Sequence, residues 1–167
     1  MCQSYNRQYG TNFIAAMPTN LYGINDNFDL KNSHVLPAFI RKFHEAKIQK
    51  KEFVEVWGTG VALREFLFVD DLAHASIFLM DNFNPPKEQE AISEVFVNIG
   101  TGIGISVKEL TELMKEITGY QGEIRWDNTK PDGMPKKITD VERITRLGWR
   151  YTTNLKDGLQ KTYAWYQ

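Results

Sequence analysis

The stretch that most narrows the possible fold is VFVNI, residues 95–99, followed at once by Gly100-Thr-Gly102. It does not alternate apolar and polar residues as a half-exposed strand would. A nearly continuous apolar run is the pattern of a strand covered on both faces, as in a parallel sheet. Parallel strands need long crossover connections, usually helices, and the flanking sequence supplies them. In HVLPAFIRKFHEAK (34–47), Val35, Leu36, Phe39, Ile40, Phe43 and Ala46 fall on one helical face. His34, Ala38, Arg41, Lys42 and Glu45 fall on the other. Pro37 sits in the first turn, where it is tolerated. Ser106-Val-Lys-Glu109 is a capping box that opens a helix to about Thr118. Further helices are expected over about 71–82 with Asp70 or Asp71 as the cap, near 140–147, and from about Asn154 onward, with Leu155, Leu159, Tyr163 and Tyr166 facing in. CQSYNRQY reads as the last turns of a helix stopped by Gly10. NFIAAM (12–17), FVEVW (53–57), REFLFV (64–69) and EIRW (123–126) read as strands, the first of them buried. Residues 18–33, 84–94 and NTKPDGMPKK read as connections. Helices and strands in this order make an α/β chain.

The 167 residues have the size of one ordinary domain and are 42% hydrophobic, enough for a packed core. Twenty basic residues balance 21 acidic ones, for a net charge of −1. Nothing global therefore attracts nucleic acid or an anionic membrane, and any anion site must be a local cluster. The single cysteine, Cys2, excludes an internal disulfide. The first residues have no apolar signal-like run, and no stretch approaches the ~20 apolar residues of a membrane helix. A cytoplasmic protein is expected. His34, His44 and His74 lack ligand spacing, so no metal site is expected.

GTGVAL (58–63) and GTGIGI (100–105) invite a nucleotide-binding reading. A dinucleotide fingerprint needs a third glycine for helix–strand packing, but Leu63 and Ile105 stand there. The Lys-Ser/Thr ending of a P-loop is also missing. Both read as turns.

His34 is the most suggestive single residue. It opens a helix after a long loop and lies opposite that helix's apolar face, so it is not a core histidine. An imidazole at a helix tip beside a long loop suits a group that trades protons, although an ordinary exposed residue fits the same pattern. Trp57 and Arg64 flank a glycine turn. They read either as a packed ring and a surface cation, or as an aromatic wall and a bidentate phosphate binder. Lys130, Asp132, Lys136 and Lys137 crowd one loop, either as solvated surface or, for Asp132, as an acceptor for a sugar hydroxyl.

Taken together, MPTNLYG, NSHVLPAFIRKFHEA, VWGTG…REFLFVDDLAHA, NIGTG…SVKEL and KPDGMPKK resemble, in order, the GDP-L-fucose synthase family of extended short-chain dehydrogenases/reductases. VDDLA and NIGTG are shared widely among sugar-nucleotide epimerases and dehydratases. PTNLYG…DNF…NSHVLPA with KPDG is more specific. The resemblance implies NADP(H) as cofactor and a GDP-linked 4-keto-6-deoxyhexose as substrate. It also implies epimerisation at two carbons beside the ketone, then hydride reduction. His34 would be the epimerisation acid. Its partner base in the family is a cysteine, and Cys2 is in the wrong place to be it. Pro18, Thr19, Asn20 and Leu21 would lie against the nicotinamide end of the cofactor, with His34 close by. Lys42, Trp57, Arg64 and Asp132 would hold the GDP-sugar, with Lys42 a point charge where other members carry arginine.

The family's GxxGxxG loop and Ser…Tyr-x-x-x-Lys constellation are not in these residues. Hence the expectation of a C-terminal half: the remaining Rossmann strands plus the smaller α/β substrate-binding domain. Residues of about 11–23, 64–83 and 95–100 would complete a Rossmann domain supplied mostly by an N-terminal half. The complete enzyme would be a homodimer, and the isolated fragment would lack reductase activity. Another nucleotide-sugar epimerase or dehydratase, a non-catalytic sugar-nucleotide-binding module and an interaction domain remain the alternatives.

Overall fold

The computed structural model describes residues 1–86 and 95–167. The element order is α1 (Cys2–Tyr9), β1 (Ala15–Pro18), β2 (Asn20–Tyr22), α2 (Val35–Ile48), β3 (Phe53–Trp57), β4 (Leu63–Arg64), β5 (Phe66–Phe68) and α3 (Val69–Asn82). Then follow β6 (Phe96–Ile99), β7 (Ile105–Ser106), α4 (Val107–Thr118), β8 (Glu123–Asp127), β9 (Lys136–Lys137), α5 (Glu142–Arg146) and α6 (Leu155–Tyr166). β1 pairs in parallel with β6, β2 with β5, and β3 with β8. β4 pairs antiparallel with β7 and parallel with β9. The parallel expectation drawn from VFVNI therefore holds, and the chain is α/β.

Two cores form. The larger gathers the apolar face of α2 (Leu36, Phe39, Ile40, Phe43) with Val54 and Val56 of β3, Leu110 and Met114 of α4, and Leu159 and Tyr163 of α6. The smaller joins Leu67, Ala75, Leu79, Val97, Ile99, Ile144 and Trp149. Gly10 ends α1 in the left-handed region at φ 65°, as its position predicts. The Ser106–Glu109 capping box is present: Ser106 Oγ accepts from Glu109 N at 3.1 Å, and Ser106 N donates to Glu109 Oε2 at 2.9 Å. Ser106→Ala should cost about 0.5–2 kcal/mol, read as a lowered melting temperature.

Several boundaries differ from the sequence reading. The first strand is Ala15–Pro18 rather than 12–17, and Ala16, Met17 and Pro18 are exposed rather than buried. Among the described residues β1 pairs on one edge only, which leaves that side of the strand uncovered. The loop expected at 18–33 contains β2, a three-residue strand too short to show a period. REFLFV is split at Glu65, and Val69 already belongs to α3. Neither Asp70 nor Asp71 caps α3. The N-cap is Phe68, with no side-chain cap bond. Asp71 is buried and instead accepts from Thr152 N (2.9 Å), Thr152 Oγ1 (2.7 Å) and Thr153 N (3.0 Å), tying α3 to the loop before α6. Burial pushes its carboxyl up, but these hydrogen bonds outweigh it and hold the group below its ordinary value. The connection expected at 84–94 lies, from residue 87 on, outside the described residues.

Candidate functional site

Lys42, Trp57, Arg64 and Asp132 come from four separate segments and line one cleft of about 370 Å³. α2 contributes Val35, Ala38, Phe39 and Lys42, so the cleft runs along the border between that helix's apolar and polar faces. β3 ends in Trp57, a residue 62% exposed, which leaves an aromatic surface to offer a planar group. Two ammonium groups flank the ring: Lys42 Nζ at 5.9 Å and Lys130 Nζ at 5.7 Å from its centroid. β4 supplies Arg64. In a chain of net charge −1, two ammonium groups beside the indole and Arg64 on the same cleft make the local cluster that an anion would need.

Arg64 and Asp132 are also tied to the loop around them. Arg64 Nη1 donates to Leu63 O (2.8 Å) and Met134 O (2.6 Å), and Nη2 to Asp132 O (3.3 Å). Nε–H and the second Nη2 hydrogen stay available for a further acceptor. The Asp132 carboxylate accepts from Thr59 N (2.7 Å), Thr59 Oγ1 (2.7 Å) and Gly60 N (3.3 Å). Those hydrogen bonds, the Thr59 hydroxyl first, hold it below the ordinary carboxylate range. Asp132 thus latches the 130–134 loop to the turn after β3.

Both glycine turns, read from sequence as non-nucleotide turns, cradle an internal carboxylate. The turn at 58–60 binds Asp132. The turn at 100–102 binds Glu65: Glu65 Oε1 accepts from Thr101 N (2.6 Å) and Gly102 N (2.8 Å), and Oε2 from Thr139 N (2.6 Å). Successive backbone N–H groups of this kind form an anion nest, and here the anions are the chain's own side chains. A Cβ at Gly58 or Gly100 would collide with Asp132 Oδ1 or Glu65 Oε1 respectively.

Glu65 was missed as a site-building residue, although a charged residue inside the apolar run REFLFV was a visible signal. It is fully buried. Its carbonyl accepts from Asn20 Nδ2 (2.7 Å) and Thr19 Oγ1 (3.4 Å), fixing the segment after β1. Pro18, Thr19, Asn20 and Leu21 thus stand together at the carboxyl end of a parallel strand, where open α/β sheets bind ligands. They are not among the residues lining the cleft. Lys137 bridges the two groups: its Nζ donates to Asn20 Oδ1 (3.1 Å), and the residue pairs with Arg64 across β9 and β4.

His34 is the N-cap of α2, exposed, with no side-chain capping bond. It immediately precedes Val35, a lining residue, but does not itself line the cleft. Cys2 lies in α1 and is half-buried. Among the described residues no helix is long and apolar enough to cross a membrane.

Residues 1–100 match the NAD dependent epimerase/dehydratase family. The chain is 53% identical over 99% of its length to a probable GDP-L-fucose synthase 1 of Oryza sativa subsp. japonica, covering 48% of that protein. In three dimensions it is similar to a GDP-6-OMe-4-keto-L-xylo-heptose reductase from C. jejuni, with TM-score 0.90 and 39% identity over 99% of this chain and 57% of that one. It is also similar to a GDP-mannoheptose C4 reductase from Campylobacter jejuni with NADP bound, with TM-score 0.84 and 38% identity over 99% of this chain and 56% of that one. The chain spans about half the length of the curated relatives it matches.

Proposed function

Because the chain belongs to the NAD dependent epimerase/dehydratase family, we propose that it forms the GDP-sugar-binding part of a GDP-L-fucose synthase. That enzyme would epimerise and then reduce a GDP-4-keto-6-deoxyhexose with NADPH. The observation that carries this reading is the convergence of Lys42, Trp57 and Arg64 on one cleft. A diphosphate needs cations and directed N–H donors, and a nucleobase needs an exposed aromatic face. The similar proteins, a GDP-L-fucose synthase, a GDP-heptose reductase and an NADP-bound reductase, support the same reading.

In this reading Lys42, Lys130 and the remaining Arg64 donors take the diphosphate. Asp132 works chiefly by holding the loop, with lone-pair room for one sugar hydroxyl. Pro18–Leu21 would hold the nicotinamide end of NADPH, which when bound would supply the hydride that reduces the ketone. His34 returns a proton to a carbon beside that ketone. Such a carbon is acidic enough for a base to deprotonate it, and inversion requires the new proton to arrive from the opposite face.

The rest of the Rossmann sheet would adjoin β1. Support comes from its unpaired edge among the described residues and from exposed Tyr5, Tyr9, Phe13 and Met17 nearby in sequence. An exposed edge and apolar surface of this kind call for a covering element. Residues of about 11–23, 64–83 and 95–100 would then belong to that domain, and the remainder to the substrate-binding domain. The Tyr-x-x-x-Lys pair, the basic partner of His34 and the homodimer contacts would lie in the other half. The chain alone would then bind GDP-sugars without reducing them.

Titration of the chain with GDP and UDP tests the site. GDP should bind and quench indole fluorescence, with UDP weaker. Arg64→Ala should weaken GDP binding about 10- to 100-fold, the range of a hydrogen bond to a charged group. Trp57→Phe should remove most of the quench. Absence of GDP binding, or an Arg64→Ala chain that binds as tightly, would refute the assignment.

A further inference from the structure

The segment between β2 and α2 lacks regular structure but is pinned at Phe28. Its ring stacks on Trp165 (centroids 6.1 Å apart, planes at 29°) and packs on Tyr166 (4.6 Å). Both partners belong to the last turn of α6. The Phe28 carbonyl accepts from Arg41 Nη1 at 3.2 Å, and Arg41 is aligned by its Nε bond to Glu45 Oε1 at 2.7 Å. Tyr166 is braced by the His44 ring, 5.2 Å away and edge-on. His44 Nδ1 lies 3.2 Å from the Tyr163 hydroxyl. Phe28 is therefore gripped jointly by α2 and α6.

The grip passes down the chain through Asp29. Its Oδ1 accepts from Lys31 N (3.0 Å) and Asn32 N (3.1 Å), and its carbonyl from Ser33 N (2.8 Å). Little freedom remains between Phe28 and His34. Inside this knot sits Leu30, which lines the cleft beside Lys42 and Trp57.

We propose that Phe28, seated on Trp165 and Tyr166, is a positioning clasp for the ligand site. It sets Leu30 against the cleft and delivers His34 to the tip of α2. None of the three aromatic residues lines the cleft, so their effect on it is transmitted through the 29–33 knot.

Lys31 is exposed within the knot and offers a trypsin site. Made in the protein as its organism expresses it, Phe28→Ala should raise the rate of cutting after Lys31 about tenfold or more, because local opening governs native-state cleavage. Cutting at other sites should not change, and Phe28→Trp should restore protection. Trp165→Ala, which truncates an already half-exposed ring, should act in the same direction and serves if Phe28→Ala does not fold. An unchanged rate at Lys31 in a folded variant, or a rise shared equally by all sites, overturns the clasp. A second arm rests on the GDP reading above: Phe28→Ala should raise the Kd for GDP roughly 3- to 10-fold, with Phe28→Trp restoring it. If the unaltered protein binds no GDP, that reading fails, while the protease arm still decides the clasp.

Discussion

Replacing Glu65 by alanine is expected to be the most damaging single change for folding, at about 3–5 kcal/mol. The side chain is fully buried and meets backbone N–H groups of Thr101, Gly102 and Thr139, together with the Thr101 hydroxyl. Alanine would leave those donors without an acceptor and open a void beside Gly100. Each unsatisfied buried donor costs about 1–3 kcal/mol, less than additively when neighbours relax together. Against a total stability of about 5–15 kcal/mol for a typical domain, that is a large fraction. Glu65→Gln separates shape from charge. Its amide oxygen can still serve Thr101 and Gly102, but its NH₂ would face the Thr139 N–H, donor against donor. A smaller loss of about 1–3 kcal/mol is expected. Urea unfolding should show a lowered midpoint with an unchanged slope. An alanine variant within 1 kcal/mol of the parent would show that the nest is not a structural hub.

The second large effect is expected at His34, in the complete enzyme. His34→Asn keeps a polar side chain at the N-cap, where asparagine is favoured, so folding should not suffer. If His34 is the acid, epimerisation should fall about 10²- to 10⁴-fold, the usual contribution of a positioned proton donor. In the proposed enzyme the partner base would still remove the proton and return it to the same face. In D₂O the substrate should then exchange deuterium at the carbons beside the ketone without inversion. NADPH binding should be nearly unchanged. Inversion at the parent rate would remove His34 from the mechanism. Loss of exchange and inversion together would make it a binding residue rather than the acid.

His34 also shows how far local sequence reaches. The spacing of Val35, Leu36, Phe39, Ile40, Phe43 and Ala46 dictates a helix and which side of it is buried, because side chains three and four apart share a face. His34 consequently lies off the core, as the structure shows. The capping box before α4, the helix end at Gly10 and the start of α6 near Asn154 were equally legible, since each depends on atoms a few residues apart.

The chain's own order of residues determined the parallel α/β character, the helices and the type of residue available for binding an anion. Tertiary structure alone decided that Lys42, Trp57, Arg64 and Asp132 share one cleft, because they are brought together from segments far apart in the chain. It also decided that Asp71 ties a distant loop instead of capping its helix, and that Glu65 breaks a strand to fill a nest. A carboxylate's partner is set by which donors the fold leaves unpaired nearby, and that quantity has no period along the sequence.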